Sequence, residues 1–135
     1  MASRTFIMIK PDGVARGLCG KVLARFEKKG FKIIQCKMLT PSKELVENHY
    51  KEHLGKDFYE KLIAYITSGP VMAVTLEGYD GCFACVREMI GATQPQNAKP
   101  GTIRGDLGLV GSTNVIHSSD SVESAQREIA LWFGN

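Results

Sequence analysis

The chain lacks long hydrophobic runs, and this absence excludes two classes of protein. Apolar runs such as residues 6–9 and 71–74 are far too short for a membrane span or for the core of a secretory signal. The N-terminus also lacks the Arg-rich, Ser-rich pattern of a transit peptide. We therefore expect a cytoplasmic protein with no membrane partner.

Charge of one sign is not in large excess either. The net charge of +3 is too small to indicate nucleic acid or a membrane as partner, although it does not oppose an anionic ligand. Repeats and low-complexity tracts are absent from the sequence. With 135 residues, of which 44% are hydrophobic and 23% charged, the chain is expected to form one domain over residues 1–135 with its own core.

The two glycine motifs that commonly bind phosphates are missing. A Walker A loop fails at Gly20-Lys21, because Ala15 stands where the first glycine belongs and Val22 follows the lysine. The later glycines never adopt the spacing of a dinucleotide fingerprint. A phosphate would therefore need a clamp of side chains.

Two arginines are candidates for that clamp. Arg87 lies one turn after Phe83 at the border of an apolar helix stripe, and Arg104 stands beside Gly105, where the backbone can approach a ligand. A guanidinium holds a phosphate through two hydrogen bonds. The alternative for each arginine is a solvated surface charge.

Cysteines are few, and only one close pair exists. Cys82 and Cys85 form a CxxC, but zinc would need a second pair, which Cys19 and Cys36 do not provide. We expect reduced cysteines, with Cys82 and Cys85 on a helix, and no protein-held metal.

Hydrophobic periodicity predicts alternating strands and helices. Strands are expected at residues 4–9, 31–39, 71–76 and 115–116. Five helices are expected, at residues 21–29, from 40 to about 50, at 58–67, at 81–91 and at 122–133. Gly30 is expected to end the first, Thr40-Pro41 to begin the second, and Asp57 to cap the third. This order contains the βαββαβ plan of a ferredoxin-like α/β (α+β) sandwich, a four-stranded antiparallel sheet covered by helices, with a doubly wound parallel sheet as the alternative.

A long connection separates the helix of Arg87 from the last strand. Residues 92–113 contain four glycines, two prolines and little periodicity, which makes the segment longer than most loops. It carries Thr93 and Arg104 and is expected to fold over a ligand. The alternative is a floppy or subunit-contacting loop.

The best candidate for chemistry is His117, in the octet at residues 114–121. A neutral imidazole can attack phosphorus, and Ser119, Asp120 and Ser121 after it are helix-capping residues. Glu128 falls at the edge of the apolar stripe of the last helix, where a carboxylate can hold the ring. The alternatives are an ordinary capped helix and a surface glutamate.

This octet, with a glutamate eleven residues beyond the histidine, resembles the active-site signature of nucleoside diphosphate kinases. The resemblance extends over essentially the full chain, through residues 5–13, 68–71, 90–93, 100–106 and 128–130. It implies the ferredoxin-like fold and γ-phosphoryl transfer from a nucleoside triphosphate to a diphosphate through a phosphohistidine on His117. It also implies Mg²⁺ as cofactor, broad base specificity, and a homo-oligomer, with a hexamer favoured over a tetramer.

The resemblance assigns a role to each matching residue. Ser119 and Glu128 orient the imidazole, the glutamate by accepting the Nε2 proton so that Nδ1 attacks, and Tyr50 stands beside the nucleophile. Lys10 and Asn114 bind the ribose hydroxyls, and Arg87, Thr93 and Arg104 bind phosphate. Phe58 stacks on the base in a slot lined by Leu62 and Val110, although the residues alone favour a core position for Phe58.

One departure from the family pattern concerns Ser118, which stands where these enzymes usually have glycine. A backbone with positive φ there would be strained.

Two other functions fit the sequence: a nucleotide-sensing or nucleic-acid-binding module, and a phosphohistidine donor to proteins. The first would use the basic helix face of Lys21, Arg25, Lys28 and Lys29, although no aromatic-basic stripe accompanies it.

Overall fold

The fold is built on one four-stranded antiparallel sheet. A computed structural model describes residues 2–109 and 113–134. Strands β1 (Ala2–Ile9), β2 (Lys32–Leu39), β3 (Val71–Tyr79) and β4 (Ile116–Ser118) have the spatial order β2-β3-β1-β4, with every neighbouring pair antiparallel. The ferredoxin-like prediction is confirmed, and the parallel alternative is wrong.

Seven helices connect and cover these strands within the described ranges. They are α1 (Pro11–Ala15), α2 (Cys19–Lys29), α3 (Lys43–His49), α4 (Tyr59–Ile66), α5 (Phe83–Ile90), α6 (Ile103–Leu107) and α7 (Val122–Phe133). One-turn 3-10 helices occupy Lys51–His53 and Pro95–Asn97. The sequence predicted neither α1 nor the two helical turns in the long connection, because segments of three to five residues carry no periodicity.

The central strand β1 divides the core into two clusters. Its side chains alternate, so Ile7 and Ile9 join one cluster while Phe6 and Met8 join the other. The first cluster includes Phe26 of α2 and the second Trp132 of α7, so the sheet is buried on both faces. This packing fixes the end of β1, where Lys10 follows.

Two helix ends were predicted correctly, and one helix start was not. Gly30 ends α2 with φ 108, and Ser121 caps α7 by accepting from the Ser124 amide, as the sequence indicates. The predicted start of α3 at Thr40-Pro41 is wrong, because the Ser42 hydroxyl accepts from the backbone N–H of Leu45 and the helix begins at Lys43.

The predicted cap of α4 is also wrong. Asp57 was expected to cap a helix beginning at residue 58, but Phe58 is the N-cap residue and makes no side-chain cap hydrogen bond. A preceding turn supplies the connection instead, since the Tyr59 amide donates to the Lys56 carbonyl. Phe58 is thereby held at the surface.

Strand β4 begins one residue later than predicted because of Val115. Its φ of 73 lies in the left-handed region, which no other described non-glycine residue adopts. Both backbone groups of Val115 are used, since its carbonyl accepts from the Lys10 amide at 2.8 Å and its N–H donates to Asp12 Oδ2 at 3.1 Å. Ser118 has no positive φ, so the strain considered at that position is absent.

The described part of the long connection is anchored to the domain. Arg25 Nη2 lies 2.8 Å from Asp106 Oδ2, and Asp106 Oδ1 accepts from the Gly101 amide at 2.9 Å. Ile103 is completely buried in the first core cluster. These contacts contradict the alternative of a floppy loop.

Gly105 has a different role from the one expected. A Cβ added there would lie 2.0 Å from the Lys99 carbonyl oxygen and 2.7 Å from Thr102 Oγ1. The close approach is therefore to the connection's own backbone and not to a ligand, which corrects the prediction.

The four thiols are free. Cys85 lies in α5 and Cys82 directly before it, close to the predicted helix 81–91, while Cys36 is exposed on β2 within the predicted strand 31–39. Cys19 begins α2, two residues before the predicted start of that helix. Within the described ranges, no helix combines the length and apolar character needed to cross a membrane.

Candidate active site

A cavity of about 440 Å³ opens where Lys10, just beyond the end of β1, lies beside β4. Its walls include all but two of the side chains that were predicted from the sequence to form the active site. Ser119 lies behind the wall, where its hydroxyl donates to Glu128, and Val110 lies outside the described residues. The residues in the walls are Lys10, Tyr50, Phe58, Leu62, Arg87, Thr93, Arg104, Asn114, His117 and Glu128.

One edge of the His117 ring contacts a buried carboxylate. Nε2 lies 3.1 Å from Glu128 Oε1, and the same oxygen accepts from Ser119 Oγ at 2.7 Å. Glu128 is only 5% exposed, so α7 holds the carboxylate inside the protein and not at its surface. With Nε2 turned toward Glu128, Nδ1 is the ring nitrogen left for another partner.

The electrostatic surroundings keep this imidazole neutral. Burial lowers the pKa of His117 to about 3, with further lowering by the positive charges of Lys10, Arg104 and Arg87. Burial raises the pKa of Glu128, while the nearby His49 and the hydrogen bond from Ser119 lower it by less. A neutral ring is the nucleophilic form of histidine.

Three cations lie at the same end of the cavity. Lys10 is 8% exposed, and its Nζ donates to Asn114 Oδ1 at 2.7 Å. Burial and the charge of Arg104 lower the pKa of Lys10 to about 8, while burial and Arg87 lower that of Arg104 to about 10. Among the described residues, carboxylates lie within ion-pair distance only of Arg4, Arg25 and the neutral rings of His49 and His117, so Lys10, Arg87 and Arg104 have no paired carboxylate. Lys10 is buried, Arg104 is half-buried and Arg87 is exposed. Because a buried cation without a paired carboxylate is costly, the cavity is suited to an anion.

Backbone carbonyls fix the position of Arg104. Its Nη2 donates to the carbonyl of Ile116, its Nε to that of Asn114 at 3.2 Å, and its Nη1 to that of Gly91 at 3.3 Å. Asn114 Nδ2 in turn donates to the Thr93 carbonyl at 2.9 Å. These bonds tie the long connection to β4, so Thr93 and Arg104 are brought to one cavity as predicted.

The other end of the cavity presents an aromatic face. Phe58 is 48% exposed and lines the wall together with Leu62. The core position that the residues alone favoured for Phe58 is therefore wrong. The His53 ring lies 5.3 Å from that of Phe58, and Lys56 Nζ lies 5.8 Å from the Phe58 centroid. An exposed ring in a cavity wall can stack against a flat ligand.

Tyr50 brings a buried hydroxyl to the cavity. Its Oη has no hydrogen-bond partner within the part of the chain that the structure describes. Its ring meets the His117 ring edge-on with centroids 5.9 Å apart. Burial raises the pKa of Tyr50 well above its usual range, so the hydroxyl stays protonated and can donate to a ligand.

His49 contacts the nucleophile and was not predicted from the sequence. Its Nε2 lies 3.2 Å from His117 Nε2, and its Nδ1 accepts from Trp132 Nε1 at 2.8 Å. Helix spacing could have placed His49 in the interior, because it follows buried Val46 by three positions and so shares the inward face of α3.

The cluster of His49, His117 and Glu128 has the residue types of a metal site. Their ligand atoms lie within 4.8 Å of one another, the one such group among the described residues. The indole N–H of Trp132 can only donate, so His49 Nδ1 must accept and the proton of the neutral ring is on Nε2. Nε2 then has no lone pair for a metal, and the cluster does not fit a metal centre in this arrangement.

Comparison with known proteins agrees with this geometry. The family model of nucleoside diphosphate kinase matches residues 3–135. A nucleoside diphosphate kinase of Synechococcus elongatus is 56% identical over 96% of this chain and 87% of its own, and one of Saccharolobus solfataricus is 55% identical over 98% and 96%.

Solved structures agree as well. A halophilic nucleoside diphosphate kinase from Halobacterium salinarum in complex with CDP superposes with a TM-score of 0.96 and 47% identity, over 100% of this chain and 90% of that one. A nucleoside diphosphate kinase family protein from Babesia bovis gives 0.93 and 46%, over 97% and 88%. The fold, the cavity and these relatives lead to one conclusion: the chain belongs to the nucleoside diphosphate kinase family.

Proposed function

We propose that this nucleoside diphosphate kinase transfers the γ-phosphoryl group in two half-reactions through Nδ1 of His117. The observation that carries the proposal is a neutral imidazole, backed by Glu128, beside three cations that lack acidic partners among the described residues. Phosphoryl transfer needs alignment and neutralisation of charge more than covalent help, and this set of groups supplies both.

In the first half-reaction the Nδ1 lone pair of His117 forms a bond to the γ-phosphorus. The bond from phosphorus to the β,γ-bridging oxygen breaks, and the diphosphate leaves with that electron pair. Throughout this step Nε2 keeps its proton, donated to Glu128, which stabilises the positive charge that develops on the ring. A second diphosphate then attacks the phosphohistidine from the same site and restores the free imidazole.

Phosphate binding is assigned to Arg87, Thr93 and Arg104, and ribose binding to Lys10 and Asn114. The support is that Lys10 Nζ and Asn114 Oδ1 form one buried pair, 2.7 Å apart, in the wall of the cavity that His117 and Phe58 also line. Tyr50 would direct its unpartnered hydroxyl toward the transferring group.

The base is assigned to the face of Phe58, with Leu62 beside it and Val110 as a further lining residue. Stacking accepts any base, because every base has a π-face. The relative from Halobacterium salinarum has CDP bound, which favours acceptance of pyrimidines here as well. Broad base specificity follows.

Mg²⁺ fits this cavity as a companion of the nucleotide. When bound, it would neutralise charge on the phosphate oxygens. The phosphate end of the cavity is lined by cations, so the ion is expected to be held mainly by the nucleotide, with the carboxylates of Asp120 and Glu52 in the same cavity available to its water shell. Cytoplasmic location and a homo-oligomer, hexamer or tetramer, stay predictions.

The proposal is tested by incubating the protein with γ-labelled ATP and Mg²⁺, then adding unlabelled GDP or CDP. We expect an acid-labile phosphoprotein whose label moves to either diphosphate, and neither labelling nor transfer in His117→Ala. The variant should still bind nucleotide. Full exchange activity in His117→Ala would show that the nucleophile is wrong.

The same experiment distinguishes the other two functions. Labelling without transfer to a diphosphate would favour a phosphohistidine donor to proteins. An absence of labelling would favour a binding module, but the basic helix face offered for nucleic acid already has Arg25 committed to Asp106.

A further inference from the structure

The histidine pair beside the nucleophile has a geometry that the two half-reactions do not use. His49 is 2% exposed and is surrounded by the rings of Phe6, Tyr50, His117 and Trp132. A buried imidazole in contact with a nucleophile affects the position of the proton on that nucleophile, because two facing N–H groups repel each other unless an acceptor beside them takes both hydrogen bonds.

Trp132 determines which nitrogen of His49 carries the proton. The indole N–H has no acceptor function, so at 2.8 Å it requires a lone pair on His49 Nδ1. Burial lowers the pKa of His49 well below its usual value, with a further contribution from His117, so the ring is neutral and its proton is on Nε2. His49 therefore presents a fixed N–H donor toward the nucleophile.

This donor lies between two possible partners. His49 Nε2 is 3.2 Å from His117 Nε2 and 3.9 Å from Glu128 Oε2. In the reactive form His117 Nε2 carries a proton donated to Glu128 Oε1, which leaves Oε2 as the nearby acceptor for His49. A small rotation of the Glu128 carboxylate would allow it to accept one proton from each imidazole.

We propose that His49 is a positioning residue, which Trp132 holds as an N–H donor so that Glu128 is the only acceptor available to the His117 Nε2 proton. A His49 ring with the opposite tautomer would offer a lone pair to His117 Nε2 and compete with Glu128. The inference rests on the proposed function of His117 and Glu128, and extends it to two N–H donors in series, from Trp132 to His49 and from His49 toward the accepting carboxylate of Glu128.

The groups that face His49 come from four elements. His117 lies on β4, Lys10 follows β1, Tyr50 follows α3, and Glu128 and Arg127 lie on α7, where Arg127 Nη2 donates to the His49 carbonyl at 2.8 Å. Lys10 and Arg127 are cations, so they oppose protonation of His49 and favour its neutral form.

The first test is spectroscopic and uses the unaltered protein. The chain has three histidines, so ¹⁵N–¹H correlation spectra of the imidazoles contain few signals. We expect His49 to be a neutral Nε2–H tautomer from pH 5.5 to 8. In Trp132→Phe we expect a mixture that includes the Nδ1–H tautomer. A wild-type His49 that is protonated or carries its proton on Nδ1 would overturn the proposal.

The second test is kinetic and uses matched substitutions at one position. His49→Leu removes the donor, whereas His49→Gln keeps an amide donor on a side chain of similar reach. We expect the single-turnover rate of His117 phosphorylation to fall roughly ten- to a hundredfold in His49→Leu, with partial recovery in His49→Gln and unchanged nucleotide affinity. An unchanged rate in His49→Leu, or a loss of affinity equal to the loss of rate, would overturn it.

A failure of the proposed role of His49 can be distinguished from a failure of the proposed function of the protein. Wild-type protein that forms the labelled phosphohistidine and transfers it supports the role of His117, whatever the tautomer of His49. Conversely, a wild-type protein that forms no phosphohistidine contradicts the proposed function before any variant of His49 is made.

Discussion

Replacement of Glu128 by glutamine removes the charge of the carboxylate that we propose orients the nucleophile. Glutamine keeps the size of the side chain, and its oxygen can still accept from Ser119 Oγ and His117 Nε2, which both donate to Oε1. A hydrogen bond to an ionised group contributes about 1.5–3 kcal/mol and a neutral one about 0.5–1.5 kcal/mol. The lost charge therefore costs about 1.5 kcal/mol at this bond, roughly tenfold in rate.

The tautomer of His117 adds to this loss. A neutral amide favours the Nε2–H form of His117 less than a carboxylate does, so part of the population carries its proton on the attacking Nδ1. Both effects together predict a decrease of about 10²-fold in the rate of phosphorylation, at the lower end of what an orienting group contributes. Nucleotide affinity should stay constant, because Glu128 binds side chains and not the nucleotide in the proposed arrangement.

The assay is a single-turnover measurement of phosphohistidine formation at saturating ATP and Mg²⁺. Glu123→Gln is the matched control, because Glu123 lies on the same helix, is exposed and loses the same charge. We expect wild-type kinetics in the control. A Glu128→Gln rate within twofold of wild type would refute the orienting role of the carboxylate.

Three further changes test other parts of the account. Phe58→Ala should weaken binding of ADP, GDP and CDP alike by about 1–3 kcal/mol, measured by titration calorimetry, and an effect on a single base would contradict a stacking role. Because the pKa of Lys10 is about 8, nucleotide affinity should fall as the pH rises through that value, when the cation is lost. This fall should be absent in Lys10→Gln, and a persistent fall would assign the titration to another group. Gly105→Ala places a methyl group 2.0 Å from the Lys99 carbonyl oxygen, so thermal unfolding should show a loss of about 1–3 kcal/mol, and an unchanged melting temperature would be inconsistent with the packing.

The sequence predicted the fold where patterns are long or capping residues are unambiguous. Helix α7 begins and ends at the predicted residues, because Ser121 is a good cap and the apolar stripe runs for three turns. The start of α3 was mispredicted because Thr40 and Ser42 are both capable caps, and only the tertiary structure selects between them. Val115 left the predicted strand because both of its backbone groups bind partners distant in sequence.

The candidate site was largely predictable from the resemblance and only partly from the residues. Helix periodicity placed Glu128 at the edge of the apolar stripe of α7, one turn before Trp132, but its contact with His117 came from the resemblance. Phe58 could not, because an aromatic residue one turn from a leucine has the same pattern in a core and in a cavity wall. His49 was missed because its role depends on a donor 83 residues away in the sequence.

The most direct test of the central claim is the chemical position of the phosphoryl group. Protein labelled with ¹⁵N-histidine and phosphorylated by ATP and Mg²⁺ would be studied by ³¹P and ¹⁵N NMR at alkaline pH, where phosphohistidine persists. The account predicts one phosphorus-nitrogen coupling, at Nδ1 of His117, and none in His117→Ala. A phosphoryl group on Nε2, on another histidine, or on a serine hydroxyl would contradict it.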